Sequence, residues 1–295
     1  LPPDHQPRPK RAADIVERNV PRETSIPEGP LPHPASTTRV VVANQKGGVG
    51  KTTTAVNLAV ALARAGLRTV VVDMDPQGNA STALGVDHSA GIPGTYEVLL
   101  GGASLADTLT PSPESDNLSV VPATIDLAAA ELELVPAVAR EQRLNRAVTA
   151  FLADHETDYV FYDCPPSLGL LTVNALVAAT EICLPIQCEY YALEGVTQLM
   201  RTIGLVTGDL NPDLELATVI LTMFDGRTRL SAQVADEVRR HFADQTLQTI
   251  IPRSVRVSEA PSYGKSVLAY DPTSVGANAY RAAAKEFAER HQERS

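Results

Sequence analysis

Cysteine is scarce in this chain, and no two cysteines have the spacing of a metal-binding pair. Cys164, Cys183 and Cys188 are the three cysteines among 295 residues. An odd number without a Cys-x-x-Cys pair argues against a disulfide framework, a zinc ribbon or an iron–sulfur bridge, and it fits a reducing compartment. No stretch approaches the ~18 consecutive apolar residues of a membrane span, and the proline-rich, charged first residues do not resemble a secretory signal. We expect a soluble, cytoplasmic protein.

Basic residues are also fewer than acidic ones, 25 against 35. The formal net charge is −10, which taken alone argues against a nucleic-acid partner. The charge is uneven, however: residues 39–225 carry nine basic and 22 acidic side chains, whereas residues 226–295 carry eleven basic and eight acidic ones. The mildly basic C-terminal quarter is therefore compatible with a local anion-binding face on an acidic protein.

Proline distribution divides the chain. Nine of the 22 prolines fall in residues 1–38, so we expect a flexible tail there. From residue 39 onward, short β-branched runs alternate with longer amphipathic stretches, and no internal repeat is visible. This pattern predicts one α/β domain over residues 39–295, with a doubly wound, mostly parallel sheet and helices on both faces.

The elements of that domain follow from the same alternation. The predicted strands are 40–43, 69–73, 118–121, 159–163, 182–186, 216–222 and 249–251. The predicted helices are 51–65, 140–155, 168–178, 193–206, 230–242 and 275–291. His241 and His291 have no second ligand at metal spacing, and we expect both on solvated helix faces.

A glycine-rich loop between the first strand and the first helix is the most informative motif. Glycines allow the backbone to wrap an anion, and a helix N-terminus adds its dipole. Lys51 would reach the β- and γ-phosphates of a nucleotide, and the Thr52 hydroxyl would ligate Mg²⁺. Gln45 stands where the strict P-loop pattern has its first glycine, but the strand–loop–helix context supports a P-loop. The predicted cradle is Lys46, Gly47, Gly48, Val49, Gly50, Lys51, Thr52 and Thr53.

Carboxylates follow two of the other predicted strands. Asp73 and Asp75 stand at i and i+2 after the second strand, so their side chains point the same way at its carboxyl end. There they could hold a metal-bound water and orient the attacking water. Asp163 ends an apolar strand as a Walker B residue does, and its carboxylate would contact the Mg²⁺ shell.

Lys46, a second lysine at the start of the loop, resembles the deviant Walker A motif of one ATPase group. Together with 187–195, 222–228 and 251–262, the motifs make residues 39–295 similar to the ParA/Soj partitioning ATPases. The resemblance implies ATP and Mg²⁺ as cofactors and a homodimer in ATP, with Lys46 reaching the partner's nucleotide. It also implies that Asp75 is the hydrolytic aspartate, with Asp73 as the second candidate, and that Pro252 and Arg253 line the adenine pocket.

The same resemblance implies DNA as a partner. Arg227 and Arg256 match positions that in this family contact DNA phosphates without reading sequence, and Arg229 would add charge beside Arg227. Arginine suits phosphate, and such binding is salt-sensitive. We therefore expect nonspecific double-stranded DNA and a ParB-type centromere-binding protein as partners, and a nucleoid-associated location.

Two alternative functions share the nucleotide chemistry. A MinD-like membrane-cycling ATPase would need a C-terminal amphipathic helix with bulky apolar residues opposite lysines. The last predicted helix has Tyr280 and Phe287 among alanines, which is typical of a packing helix, so we expect no membrane partner. A scaffold that binds ATP without hydrolysing it is the other alternative, and the presence of Asp75 and Asp163 argues against it.

Overall fold

The computed structural model describes residues 29–190, 192 and 194–293. Most of the predicted tail, residues 1–28, therefore lies outside the described residues. The described part of that segment contacts the domain. Leu31 packs against the core, His33 Nδ1 lies 2.9 Å from Asp158 Oδ1, and the Thr37 hydroxyl donates to the Thr157 carbonyl.

Eight strands form one sheet within the described residues. They are β1 (Thr38–Val42), β2 (Thr69–Asp73), β3 (Thr110–Pro111), β4 (Leu118–Val121), β5 (Tyr159–Asp163), β6 (Glu181–Gln187), β7 (Glu215–Phe224) and β8 (Thr246–Pro252). The order across the sheet is β3-β4-β2-β5-β1-β6-β7-β8. Neighbouring strands are parallel except β3 and β4. Strands β2 to β5 lie on one side of β1 and β6 to β8 on the other, which confirms the predicted doubly wound fold.

Helices connect these strands. They are α1 (Lys51–Arg64), α2 (Asn79–Ala83), α3 (Thr95–Leu100), α4 (Leu105–Thr108), α5 (Leu127–Glu133), α6 (Arg143–Asp154), α7 (Leu170–Ala178), α8 (Glu194–Asp209), α9 (Arg229–His241), α10 (Val255–Glu259), α11 (Val267–Tyr270) and α12 (Val275–Glu293). Short 3₁₀ turns lie at Arg140–Gln142 and Ala260–Tyr263. The long predicted helices are present within a few residues of their expected bounds, and the short ones are additional.

Alternating strand residues divide the core between the two faces of the sheet. Val41 points to the face covered by α3 to α9, where Leu144 and Val234 are buried. Its neighbours Val40 and Val42 point to the other face, covered by α1, α2, α11 and α12. Because both faces are covered, the central strands are apolar throughout, as parallel sheets require.

The last helix packs into the core. Tyr280 and Phe287 on α12 are 1% and 0% exposed, and the Phe287 ring lies 6.1 Å from that of Phe161. This burial agrees with the predicted packing helix. Among the described residues, no helix combines the length and hydropathy needed to cross a membrane.

The expectation for His291 is wrong. His291 is buried, its Nε2 lies 2.8 Å from Glu181 Oε2, and its Nδ1 lies 2.7 Å from the Phe287 carbonyl. The partner carboxylate is supplied by β6, 110 residues earlier in the chain, and so is not visible in the local sequence. His241 is exposed, as expected.

Candidate functional site

The loop after β1 is braced against the neighbouring strands. Asn44 donates to the Pro185 carbonyl at 2.8 Å and accepts the Lys46 backbone N–H at 3.0 Å. Further along the loop, the buried Thr222 hydroxyl on β7 donates to the Val49 carbonyl at 2.8 Å. These contacts hold the loop at the carboxyl edge of the sheet, where ligands bind in doubly wound folds.

Two glycines give the loop its curvature. Gly48 and Gly50 have φ values of 74° and 88°, in the left-handed region where a Cβ is disfavoured. Gly50 is also the N-cap of α1, which begins at Lys51. The first backbone N–H groups of a helix have no acceptor within it, so the start of α1 is suited to bind an anion.

A cavity of about 400 Å³ opens beside this helix start. It brings together most of the predicted cradle with one of the two carboxylates after β2. The predicted residues that line it are Gly47, Gly48, Gly50, Lys51, Thr52, Thr53 and Asp75. Val49 is instead buried behind the loop at 1% exposure.

Lys51 is held close to two acids at the base of the cavity. Its side chain is buried, and burial lowers its pKa, while the charges of Asp163 and Asp75 oppose that change. The ammonium is thus partly desolvated beside carboxylates, where its charge interacts more strongly with a bound phosphate than it would in water.

Asp163 has unsatisfied hydrogen-bonding capacity. Both carboxylate oxygens are buried, and neither accepts a hydrogen bond from any described residue. Burial and the charge of Asp73 raise its pKa well above the usual value, and the nearby Thr52 hydroxyl opposes this rise. A buried carboxylate beside a hydroxyl fits Mg²⁺, which takes oxygen ligands and shares its remaining positions with water and phosphate. No cluster of three or more His, Cys, Asp or Glu in the described ranges is placed to hold a metal ion.

The two aspartates after β2 have different environments. Asp73 accepts hydrogen bonds from the backbone and hydroxyl of Ser81 and from the Asp75 backbone, and burial raises its pKa to about 6. It is absent from the cavity lining, whereas Asp75 lines the cavity and accepts the Gln77 backbone N–H at 3.0 Å. Of the two carboxylates, Asp75 therefore faces the cavity, whereas Asp73 is held by hydrogen bonds from Ser81 and the Asp75 backbone.

The far wall of the cavity is contributed by residues 257–267, which follow β8 in the chain. That Pro252 and Arg253 line an adenine pocket stays a prediction. Pro252 and Arg253 do not line the cavity; Arg253 pairs instead with Glu189 at 2.6 Å. The wall is formed by Val257, Ser258, Ala260, Pro261, Lys265 and Val267. Asn57 on α1 holds this wall, since its side chain accepts the Val267 backbone N–H at 2.9 Å.

Other lining residues were not predicted, among them Asn79, Pro166 and Met223. Asn79 begins α2, Pro166 follows β5, and Met223 is the penultimate residue of β7. Met223 adopts a φ of 52°, a conformation that is unusual for a residue with a side chain. Their position near the carboxyl ends of parallel strands, which meet at the same sheet edge, was the available signal.

Lys46 is not among the residues that line this cavity, although the next residue of the loop, Gly47, is. Its side chain is half-buried.

The three arginines predicted to bind DNA are all exposed. Arg227 is 88% exposed and pairs with Asp225 at 2.8 Å. Arg256 is 56% exposed and lies 3.3 Å from Glu259 and 3.4 Å from Asp271. Arg229 is exposed at the first turn of α9. Arg227 and Arg256 would therefore exchange a carboxylate partner for a phosphate.

Comparison with known proteins gives the family. A family model described as an AAA domain matches residues 37–216. The chain is 51% identical over 249 residues to the sporulation initiation inhibitor protein Soj of Bacillus subtilis, covering 84% of this chain and 97% of that protein. It is also 51% identical over 255 residues to the chromosome partitioning protein ParA of Caulobacter vibrioides, covering 86% and 95%. The chain belongs to the Soj/ParA family.

A solved structure shares the Soj/ParA fold of this chain. It is a Mycobacterium smegmatis protein described as cobyrinic acid a,c-diamide synthase with bound ADP and magnesium, 40% identical, with a TM-score of 0.72 and coverage of 85% of this chain and 93% of that one. Membership of the Soj/ParA family confirms the resemblance drawn from the motifs.

Proposed function

We propose that this protein is an ATP-dependent DNA-partitioning switch that hydrolyses ATP slowly and is stimulated by a partner. The observation that carries the proposal is the cavity in which the loop glycines, Lys51, Thr52 and Asp75 meet above the unpartnered Asp163. The Soj and ParA relatives, which are named for chromosome partitioning, support the biological role.

Each residue of the cavity has a role in binding or hydrolysis. The N–H groups at the start of α1 and the Lys51 ammonium bind the phosphates. Thr52 and Asp163 would hold Mg²⁺, which neutralises charge on the phosphate oxygens. Asp75 accepts a hydrogen bond from the attacking water and orients it toward the terminal phosphate. The hydrophobic residues of the far wall, including Val257 and Val267, contact the base.

The switch cycle extends beyond one subunit. With ATP bound, two subunits associate, and each Lys46 reaches the partner's nucleotide; its position outside its own cavity supports this role. The dimer presents Arg227, Arg229 and Arg256 twice and holds nucleoid DNA without reading sequence. A ParB-type protein bound at a centromere accelerates hydrolysis and releases the dimer from DNA.

Two structural observations disfavour other functions. Amide synthesis from glutamine through a cysteine needs an accessible thiolate, but burial raises the pKa of Cys183 and Cys188 to about 12 and that of Cys164 well above its usual value. A MinD-like membrane cycle needs an exposed apolar face on the last helix, and there Tyr280 and Phe287 are buried.

Replacing Lys51 tests the nucleotide site. Lys51→Ala removes the charge that bridges the phosphates, so binding of MgATP measured by calorimetry should fall at least a hundredfold. Lys265→Ala is the comparison, because Lys265 lines the far wall of the same cavity and should affect binding less. Unchanged affinity in Lys51→Ala would contradict the P-loop assignment.

Replacing Asp75 separates binding from hydrolysis. Asp75→Ala leaves the phosphate cradle, so ATP should still drive dimerisation and DNA binding, measured by light scattering and a DNA-binding assay. Phosphate release should fall at least tenfold, and addition of a ParB-type protein from the same organism should no longer release the variant from DNA. Hydrolysis at the wild-type rate would move the catalytic assignment to Asp73.

A further inference from the structure

A buried carboxylate contacts the segment that forms the far wall of the nucleotide cavity. Glu114 lies on the loop between β3 and β4, and its side chain is 3% exposed, but it is not among the residues that line the cavity. Its carboxylate accepts hydrogen bonds from the Arg64 guanidinium at 2.7 Å, the Ser266 backbone N–H at 2.7 Å and the Ser266 hydroxyl at 2.9 Å. A charge withdrawn from water is tolerated where such partners are present.

Arg64 links the last turn of α1 to the same wall. Its Nη1 donates to the Leu268 carbonyl on α11 at 3.1 Å, and its Nε donates to the Glu114 carbonyl at 3.3 Å. The guanidinium therefore contacts α11 and the β3–β4 loop at once. Because α1 begins at Lys51, the helix that binds phosphate at its first turn is joined to the far wall at its last turn.

The wall residues beside Ser266 face the cavity. Lys265 and Val267 line it, whereas Ser266 is buried and is the N-cap of α11. The Val267 backbone N–H is held by the Asn57 side chain at 2.9 Å, and the Ser266 N–H directly before it is held by Glu114. Two consecutive N–H groups of the wall are thus fixed by side chains from distant parts of the sequence.

The loop that carries Glu114 is itself fixed. The Ser112 hydroxyl donates to the Leu84 carbonyl at the end of α2 at 2.8 Å and accepts the Glu114 backbone N–H at 3.2 Å. Pro113 packs so closely on Gly85 that a Cβ there would lie 2.8 Å from its ring. The Glu114 carboxylate is therefore a rigid support, and it fixes the wall relative to the rest of the domain.

We propose that Glu114 is a positioning residue for the nucleotide base, because it holds the far wall against α1 without touching the nucleotide. The proposal rests on the proposed function, in which Val267 and other wall residues contact the base. Without the carboxylate, the buried Ser266 N–H loses its acceptor, which is costly unless the wall moves. The phosphate cradle makes none of these hydrogen bonds, so the defect should fall on binding and not on hydrolysis.

Steady-state kinetics of basal ATP hydrolysis tests this division. Glu114→Gln keeps the shape of the side chain but replaces one accepting oxygen with an amide nitrogen and removes the charge opposite Arg64. We expect the KM for MgATP to rise at least tenfold and kcat to stay within twofold of wild type. Such a change indicates loss of binding that is shared by the ground state and the transition state.

Two further variants accompany Glu114→Gln. Glu156→Gln is the control, since it removes the same charge from an 86% exposed carboxylate that pairs with Arg68, and it should leave KM and kcat unchanged. Ser266→Ala removes one donor and leaves the buried Arg64–Glu114 pair intact, so it is the milder test, and KM should rise two- to fivefold. If Glu114→Gln does not fold, an unchanged KM in Ser266→Ala overturns the proposal.

Hydrogen exchange followed by mass spectrometry measures the wall without hydrolysis. In the nucleotide-free protein, amides in residues 264–268 should exchange at least tenfold faster in Glu114→Gln than in Glu156→Gln. Amides of the phosphate cradle, residues 47–53, should differ by less than twofold. Equal exchange of the wall in the two variants overturns the positioning role.

The kinetic outcomes separate this proposal from the proposed function. An unchanged KM in Glu114→Gln refutes the positioning role and leaves the ATPase assignment intact. A lower kcat with an unchanged KM refutes it as well, since that result indicates a smaller fraction of folded protein. A wild-type protein that does not hydrolyse ATP contradicts the proposed function itself.

Discussion

At the scale of single residues, the exposed arginines are positioned by acids close to them in the chain. Arg227 donates to both carboxylate oxygens of Asp225 at 2.9 and 2.8 Å, and these hydrogen bonds lower the pKa of Asp225 to about 2. Asp225 is therefore ionised throughout the physiological pH range. The contribution of this pair to stability is present above pH 3.8 and is lost as the pH falls toward 2. Any phosphate that binds Arg227 must compete with this carboxylate.

Removing that competition should strengthen DNA binding. Asp225→Asn keeps an oxygen that can accept the Arg227 backbone N–H, now bonded at 3.0 Å, but it removes the opposing charge. We expect ATP-dependent DNA affinity to rise by about two- to fivefold at fixed salt, in line with the strength of exposed ion pairs. Fluorescence anisotropy with a labelled duplex measures it.

Asp213→Asn is the control for this prediction. Asp213 is an exposed acid on the loop before β7, at the opposite edge of the sheet from Asp225. The Asp213→Asn substitution removes the same charge without freeing an arginine, so DNA affinity should change less. An equal gain in both variants would mean that net charge, and not the Arg227 pair, limits binding.

At the scale of elements, the accuracy of the sequence-based predictions follows the length of the pattern. The bounds of β2, β4 and β5 agree with the prediction because β-branched and aromatic runs are interrupted on both sides. The helices α2, α3, α4, α5, α10 and α11 have four to seven residues, fewer than two full turns. A hydrophobic period cannot be recognised over that length, and tertiary contacts determine these helices instead.

The two sides of the nucleotide cavity also differ in how far the sequence predicts them. Its near side is one continuous stretch from Gly47 to Thr53, where glycine spacing and the following helix specify the local geometry. Its far side is contributed by residues 257–267, about two hundred positions later, and Asn57 fixes the contact between the two. The resemblance implies that Pro252 and Arg253 line the adenine pocket, and these two residues are not among those that line the cavity. Such long-range packing is not encoded in any local pattern.

Helix α3 shows how close packing at the sheet edge constrains one glycine. Thr95 donates its backbone N–H to the Pro122 carbonyl at 2.9 Å and its hydroxyl to the Asp73 carbonyl at 2.7 Å. A Cβ on Gly94 would overlap the Pro122 carbonyl oxygen. Gly94→Ala should therefore lower the free energy of unfolding by about 1–3 kcal/mol, as overpacking does, measured by urea denaturation.

Gly102→Ala is the matched control for the Gly94 variant. A Cβ on Gly102 would meet its nearest neighbours in Glu97 at 3.8 Å, which is ordinary van der Waals contact. The free energy of unfolding should change by less than about 0.5 kcal/mol. Equal stability of the two variants would show that α3 moves freely from the end of β4.

At the scale of the whole molecule, DNA binding has to overcome a net charge of −10. One subunit presents few cations, and Arg227 and Arg256 are partly neutralised by Asp225, Glu259 and Asp271. In the proposed cycle, association of two subunits would double the number of exposed arginines presented to DNA. ATP-dependent dimerisation would then couple the nucleotide cavity to DNA affinity.

A salt titration tests this coupling. Arg227→Ala combined with Arg256→Ala removes four cations from a dimer. Each phosphate contact contributes a log–log slope of ~0.9, so the salt dependence of binding should flatten by roughly 3–4 units. ATP-dependent DNA binding should nearly disappear, while basal hydrolysis and dimerisation are unchanged. Arg240→Ala combined with Lys285→Ala is the control, since both residues are exposed and the charge lost is the same. Equal slopes in the two double variants would place the DNA surface elsewhere, and the basic residues Arg8, Lys10 and Arg11 would be replaced next.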